Sequence, residues 1–203
     1  MTSPLDPPGV HPDAYLHDLA LVDQGAAVGA RTRVWAWAHV LPDASIGADC
    51  NVCDHTYVEG GVSLGDRVTV KCGVYLWDGV TAEDDVFIGP AAVFTNDLVP
   101  RSGRRPQEWA RTVLATGCSI GANATLVAGH RVGRYAMVAA GAVVTRDVPD
   151  FALVAGVPAR VVGWVGRDGQ RLVFDDGGRA ACAGGRVYHL RDGSVVELPR
   201  EDS

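Results

Sequence analysis

Every sixth residue from Val22 to Phe94 is apolar, by way of Val28, Val34, Val40, Ile46, Val52, Val58, Leu64, Val70, Leu76, Ala82 and Ile88. The step stops at Phe94 and resumes from Leu114 through Ile120, Leu126, Val132 and Val138 to Val144. A period of six matches neither the 3.6-residue repeat of a helix nor the two-residue alternation of a strand, so it is the spacing between successive turns of a β-solenoid. Glycine follows the aliphatic residue at Gly29, Gly47, Gly65, Gly89, Gly121 and Gly133, and the residue four beyond it is small or β-branched, as at Thr32, Cys50, Val68 and Ala124. Each hexad therefore predicts a very short strand with one inward side chain, then a tight corner.

Twenty residues separate Phe94 from Leu114 where six were due, so about fourteen leave the coil. A loop of that length inside a strict repeat is more often functional than decorative. Its Arg101, Arg104, Arg105 and Arg111 stand on an acidic chain. They read equally as contacts for a phosphorylated ligand or as a solvated rim. Residues 1–20, with Pro4, Pro7, Pro8 and Pro12, are expected to form an irregular arm, and 21–162 the solenoid with the inserted loop at 95–113. Residues 163–203 read as a small β-hairpin appendage, with strands at 171–174, 186–190 and 194–198 between Asp-Gly and Gly-Gly turns.

The chain has 203 residues and a net charge of −6, which argues against a general nucleic-acid binder or a protein of anionic membrane surfaces. No apolar run approaches the roughly 20 residues of a membrane span, and the first residues lack a cationic-plus-apolar leader pattern, so a cytoplasmic protein is the expectation. The five cysteines are odd in number, and Cys50 and Cys118 fall on the small inward position as packing residues. Trp35 and Trp37 fall on outward or turn positions. Exposed tryptophans on a solenoid wall need cover, which a neighbouring subunit supplies.

The runs Ile120-Gly121-Ala122-Asn123-Ala124-Thr125, Gly141-Ala142-Val143-Val144 and Val154-Ala155-Gly156-Val157-Pro158-Ala159-Arg160 resemble the closing coils of the hexapeptide acyltransferases. The likeness covers about three quarters of the chain. It implies an all-β fold, a left-handed parallel β-helix with an external loop, in which three hexads complete a coil and positions eighteen apart stack at about 4.8 Å. A narrower set, Lys71-Cys72-Gly73 with Trp77-Asp78-Gly79 and Phe94-Thr95-Asn96-Asp97 with Pro100-Arg101-Ser102, resembles the N-acetyltransferases of nucleotide-linked amino-deoxysugars. That branch implies acetyl-CoA as cosubstrate, a homotrimer with sites between subunits, and a nucleotide-linked amino sugar as acceptor. Trp77-Asp78-Gly79 is similar to the dTDP-3-amino-sugar enzymes and Gly163-Trp164-Val165 to those acting on UDP-linked 3-amino uronic acids, so the nucleotide stays open.

With three hexads per coil, Asp78 and Asn96 fall in one outward column, Glu59, Trp77 and Thr95 in the next, and His39, Tyr57 and Tyr75 in another. A polar column beside an aromatic one suits a sugar-binding wall. The candidate substrate contacts are Glu59, Lys71, Trp77, Asp78, Asn96, Asp97, Arg101 and Ser102. The plainer alternative has Asp78 capping the Gly79 turn and Trp77 covering an interface. His55 is the candidate catalytic residue, an imidazole able to take the proton from an attacking amine, although an uncharged amine is already nucleophilic without a base. His39 reads as an interface or structural histidine, and His130 occupies the inward small position. Oxyanion donors are expected among corner N–H groups, for instance near Gly73 or Gly89. The resemblance assigns Ala139 and Gly141 to the wall beside the pantetheine arm and Arg146 and Arg160 to the coenzyme phosphates, the alternative for both arginines being a solvated rim.

Three other readings compete. An O-acetyltransferase of the same fold acting on a small hydroxyl acceptor would make the base essential, since an alcohol is a poor nucleophile until deprotonated. A γ-type carbonic anhydrase needs three histidines on zinc. Only His39, His55 and His130 lie on the solenoid and none is in His-x4-His spacing, so no metal is expected. An ice-binding solenoid would show a regular threonine column, whereas these outward columns are chemically mixed.

Overall fold

A computed structural model describes residues 9–104 and 106–199. The hexads form two-residue strands that stack into three parallel sheets, one for each side of a triangular coil. The first face begins at Tyr15–Leu16, the second at Leu21–Val22 and the third at Ala27–Val28. Pairing is in the register that the sequence sets: Val22 opposes Val40, Val40 opposes Val58, and Val58 opposes Leu76. Across the insertion the register resumes, with Phe94 opposite Leu126 and Ala82 opposite Leu114.

The first coil starts earlier than the expected arm. Tyr15–Leu16 pairs with Arg33–Val34 and Val10 bridges Val28, because Val10 and Leu16 continue the six-residue step and Ala14 and Ala20 fill the small positions. Residues 1–8 lie outside the described residues. The inward aliphatics form continuous ladders, with Val34, Val52, Val70, Ile88 and Ile120 wholly buried along the first face. Each such side chain contributes about 1.5–3 kcal/mol against the entropy of ordering its coil, so stability is shared between neighbouring coils.

From the second coil onward most corners turn through one left-handed residue. Arg31, Trp37, Asp43, Asp49, His55, Arg67, Asp85, Ala91, Asn123 and Tyr135 have φ between 53° and 66°, and Gly61, Gly73, Gly79, Gly117 and Gly141 occupy the equivalent place elsewhere. The corner joining the third face to the first is charged. Arg31 donates to both carboxylate oxygens of Asp49 at 2.7 and 2.6 Å, Arg67 to Asp85 at 2.6 and 2.9 Å, and Arg134 to Asp150 at 2.9 Å. The hydrogen bond from Arg67 holds the Asp85 carboxyl below its usual range. Burial pushes Asp150 up, but hydrogen bonds from Arg134 and Arg131 outweigh it and leave that carboxyl lowered too. Carboxyls lowered by folding stabilise above their unfolded pKa of about 3.9, and that contribution is lost as pH falls through the depressed values. The melting temperature should therefore hold down to about pH 4 and fall below it. Thermal melts of Arg67→Met across that range should show a shallower acid slope, with little change near neutrality for so exposed a pair.

After Val143–Val144 the chain adds Ala152–Ala155 to the first face and returns antiparallel as Arg160–Trp164. A separate antiparallel sheet follows, made of Arg179–Ala181, Val187–Arg191 and Ser194–Glu197. The last two strands match expectation, but 171–174 is not a strand. Arg171 alone bridges Val165, while Leu172 is drawn into a small core with Phe151, Tyr188 and Val195, and Arg179–Ala181 supplies the third strand. Trp164 packs against both cores and joins appendage to solenoid. Cys50 and Cys118 are buried as packing residues, and burial pushes the Cys118 thiol up to about 12. His130 does not point wholly inward. It is half-buried with Nδ1 3.6 Å from Asp147, because the third face ends one strand later at Arg131–Val132. Among the described residues no helix is long and apolar enough to cross a membrane.

Candidate functional site

The outward side of the second face carries a continuous aromatic column, where the first face has only separated rings such as Tyr15 and Phe87. His39, Tyr57 and Tyr75 stack in successive coils, with Tyr57 edge-on to His39 at 5.7 Å and to Tyr75 at 6.3 Å. Trp77 leans over this column, its ring centroid 5.6 Å from Tyr57 and 6.1 Å from Tyr75. On the corner leading into the face, Trp37 and His55 lie one above the other, 4.9 Å apart and within 11° of parallel. Together with Thr56 these side chains line an open concavity of about 440 Å³. Trp37 is 57% exposed and Tyr75 50%, so the chain leaves the wall uncovered.

His55 occupies a left-handed corner because the coil requires that conformation there, and its N–H donates to the Ala36 carbonyl at 3.2 Å. The ladder continues up the same edge: Gly73 donates to Asp54, Ala91 to Cys72, Asn123 to Pro90 and Gly141 to Ala122. A side chain at Gly73 would meet nothing within 4 Å, so the His55 ring rests on Trp37 and has open space towards the next coil. The N–H groups of Gly73 and Gly89 are not free oxyanion donors. They bond to Asp54 at 3.1 Å and Ile120 at 2.7 Å as part of the coil ladder.

The corner leaving the second face carries the polar set. Glu59 accepts the Asp78 N–H at 2.7 Å and Asn96 donates to the Asp78 carbonyl at 3.5 Å, so the three neighbours in successive coils are tied together. Among the described residues no hydrogen bond engages the Asp78 carboxylate itself. Asn96 and Asp97 open the inserted loop, whose own hollow of about 370 Å³ is lined by them with Leu98, Val99, Arg104, Pro106, Glu108, Trp109 and Ala110. Asp97 accepts the Val99 N–H at 2.8 Å, which shapes the start of that loop. Thr95 is structural, accepting the Ala128 N–H at 3.0 Å.

The structure thus gathers His55 and Trp77 at one concavity, with Glu59, Asp78 and Asn96 along its far edge. Arg101 and Ser102 are not brought there. Both are exposed on the loop, Arg101 bonding to its neighbour Pro100, and Arg105 lies outside the described residues. Lys71 stands on the His55 edge, half-buried, outside the lining of the concavity. Ala139 and Gly141 stand farther along the same edge. Arg146 and Arg160 are exposed beyond the last coil, Arg160 beside the end of the second face because Ala159 donates to Val143 at 2.8 Å. Sequence reasoning misses one member of the wall and one contact beside it. Trp37 was read only as a residue needing cover, although its eighteen-residue spacing from His55 announces the stack. The hydrogen bond between His39 and Asp23, at 3.0 Å, joins residues sixteen apart, off the stacking spacing, and no column arithmetic pairs them. Among the described residues no group of three or more His, Cys, Asp and Glu is placed to hold a metal ion.

A family described as the hexapeptide repeat of succinyl-transferase matches residues 43–77 and 116–146. A dTDP-3-amino-3,6-dideoxy-alpha-D-galactopyranose 3-N-acetyltransferase of Aneurinibacillus thermoaerophilus is 48% identical over 184 residues, 91% of this chain and 95% of that protein. A 2,3,4,5-tetrahydropyridine-2,6-dicarboxylate N-acetyltransferase of Staphylococcus aureus is 42% identical over 38% of this chain and 30% of its own length. A hexapeptide-repeat acetyltransferase of Vibrio cholerae, solved with acetyl coenzyme A, is 26% identical over 69% of this chain and 70% of that one, with a TM-score of 0.49. The chain belongs to the hexapeptide-repeat acyltransferases, in the branch of nucleotide-linked amino-sugar N-acetyltransferases. The three-sided solenoid is accordingly the left-handed β-helix of that family.

Proposed function

We propose that the protein transfers the acetyl group of acetyl-CoA to the amine of a dTDP-linked 3-amino-deoxysugar by direct attack of nitrogen on the thioester. The observation that carries this reading is the aromatic concavity with His55 at its rim, on an edge that continues through small residues to Ala139 and Gly141. Aromatic faces suit a base or sugar ring, while the free Asp78 carboxylate and the Asn96 amide suit the amine and hydroxyls beside it. Glu59 acts through Asp78, whose backbone it holds. The small-residue edge admits the pantetheine arm, with Arg146 and Arg160 towards the coenzyme phosphates. Lys71, Asp97, Arg101 and Ser102 meet the nucleotide from the edge and the loop. The dTDP nucleotide is favoured over UDP by the relative of 48% identity and by the place of Trp164, which is occupied in packing the appendage.

The uncovered second face supports a homotrimer in which a second copy of the chain closes the concavity, in keeping with the exposure of Trp37 and Tyr75. A cytoplasmic enzyme fits these substrates. Sedimentation should give three times the chain mass, and Tyr75→Glu should shift it to monomer with loss of turnover. The activity itself is tested by mixing the protein and acetyl-CoA with dTDP-, UDP- and GDP-linked amino sugars and following free thiol. Thiol release is expected with the dTDP-linked 3-amine and not with its 3-hydroxyl analogue. If no amino sugar releases thiol and acetyl-CoA leaves the melting temperature unchanged, the reading is wrong.

A further inference from the structure

Acetylation of an amine moves two protons off nitrogen. The substrate amine arrives as an ammonium ion and must lose one proton before its lone pair can attack. As the C–N bond forms and the C–S bond breaks, the same nitrogen becomes cationic and loses a second, which ends on the departing thiolate. The first proton goes to solvent. One base can serve both steps only by discharging between them, and the concavity contains two imidazoles.

We propose that His39, oriented by Asp23, takes the first proton, leaving the second to His55; the assignment rests on the amine acetylation argued above. His39 Nε2 lies 3.0 Å from Asp23 Oδ2, with the two side chains 35% and 34% exposed. An ionised carboxylate only accepts, so Nε2 carries the hydrogen and Nδ1 presents its lone pair. No hydrogen bond among the described residues engages Nδ1. The edge-on Tyr57 ring, 85° from the imidazole plane, restricts ring rotation. Asp23 also lies where it stabilises the imidazolium that forms, the arrangement by which an orienting carboxylate supports a proton acceptor. Among the described residues no carboxylate is hydrogen-bonded to His55. Its neighbour Trp37 is a flat apolar face, and the adjacent Asp54 carboxylate lies 3.9 Å from the Cys72 thiol. The titratable groups facing His39 are Asp23 from the preceding coil and Tyr57 and His55 from the following one, with Tyr75 next in the column. Glu59 is engaged with the Asp78 N–H.

The test is the pH dependence of thiol release by Asp23→Asn and His39→Asn, beside His55→Asn and the unaltered enzyme. Asp23→Asn is nearly isosteric and partly exposed, so it carries the test if His39→Asn disturbs the fold. Both are expected to lower kcat/KM by about 10-fold at about pH 7, where roughly a tenth of an amine of ordinary pKa about 8 arrives uncharged, and to recover at about pH 9.5, where nearly all of it does. His55→Asn should stay depressed at both values, and KM for the sugar nucleotide should change little in all three. A loss for Asp23→Asn that is equal at the two pH values, or a raised KM with kcat unchanged, overturns the assignment and makes the pair a binding contact. An unaltered enzyme that is active beside fully active Asp23→Asn and His39→Asn variants also overturns it while leaving the acetyl transfer standing. If the unaltered enzyme itself releases no thiol, the acetyl-transfer reading has failed instead.

Discussion

Replacing His55 by alanine should lower kcat/KM for the amino sugar by about 10²–10⁴-fold at neutral pH, the usual worth of a positioned proton acceptor. The side chain projects from a left-handed corner, rests on Trp37 and has open space over Gly73, so its removal leaves the coil intact while emptying the rim of the concavity. Residual transfer should persist, because the fraction of amine that is uncharged attacks a thioester unaided. A hydroxyl acceptor has no such fraction, and an O-acetyltransferase would lose essentially all turnover. The measurement is steady-state thiol release by His55→Ala with amine and hydroxyl acceptors, together with a thermal melt. An unaltered kcat with the amine would remove His55 from the chemistry and leave it as a surface ring.

Leu76→Ala should be the most damaging single change to the fold among residues beneath the wall. Leu76 is wholly buried, opposite Val58 and flanked by Tyr75 and Trp77, which form the concavity. Truncating a buried leucine costs about 2–5 kcal/mol, the larger values where the surroundings cannot collapse. A coil held at fixed spacing by its ladder hydrogen bonds has little room to do so. The expected fall in melting temperature is roughly 5–15 °C, with weaker binding of the sugar nucleotide because both flanking rings lose their support. Calorimetry with and without ligand separates the two effects. A fall below about 2 °C would mean that the neighbouring ladders close the gap.

The coil is legible in the chain because its rule is one-dimensional. Val10 and Leu16 extend the step into the proline-rich start, and the register across the insertion follows by resuming the count at Leu114. The columns Asp78 with Asn96 and Tyr57 with Tyr75 are legible for the same reason. Where the period ends the reading weakens. The stretch 171–174 reads as a short apolar strand between turns, yet Leu172 is claimed by Phe151 and Tyr188 from distant parts of the chain, and local pattern contains no trace of that competition.

The spacing of aliphatic residues alone determined a solenoid's core, its corners and the interruption that becomes the loop, since each hexad repeats the same burial problem, whereas the closing of three hexads into one coil is what the family resemblance implied. Tertiary structure alone decided that His39 meets Asp23 and that Arg101 and Ser102 stay out on the loop. The reason is geometric. Stacking positions are counted along the backbone, but diagonal contacts between side chains depend on their reach and orientation across neighbouring coils, which no periodicity records.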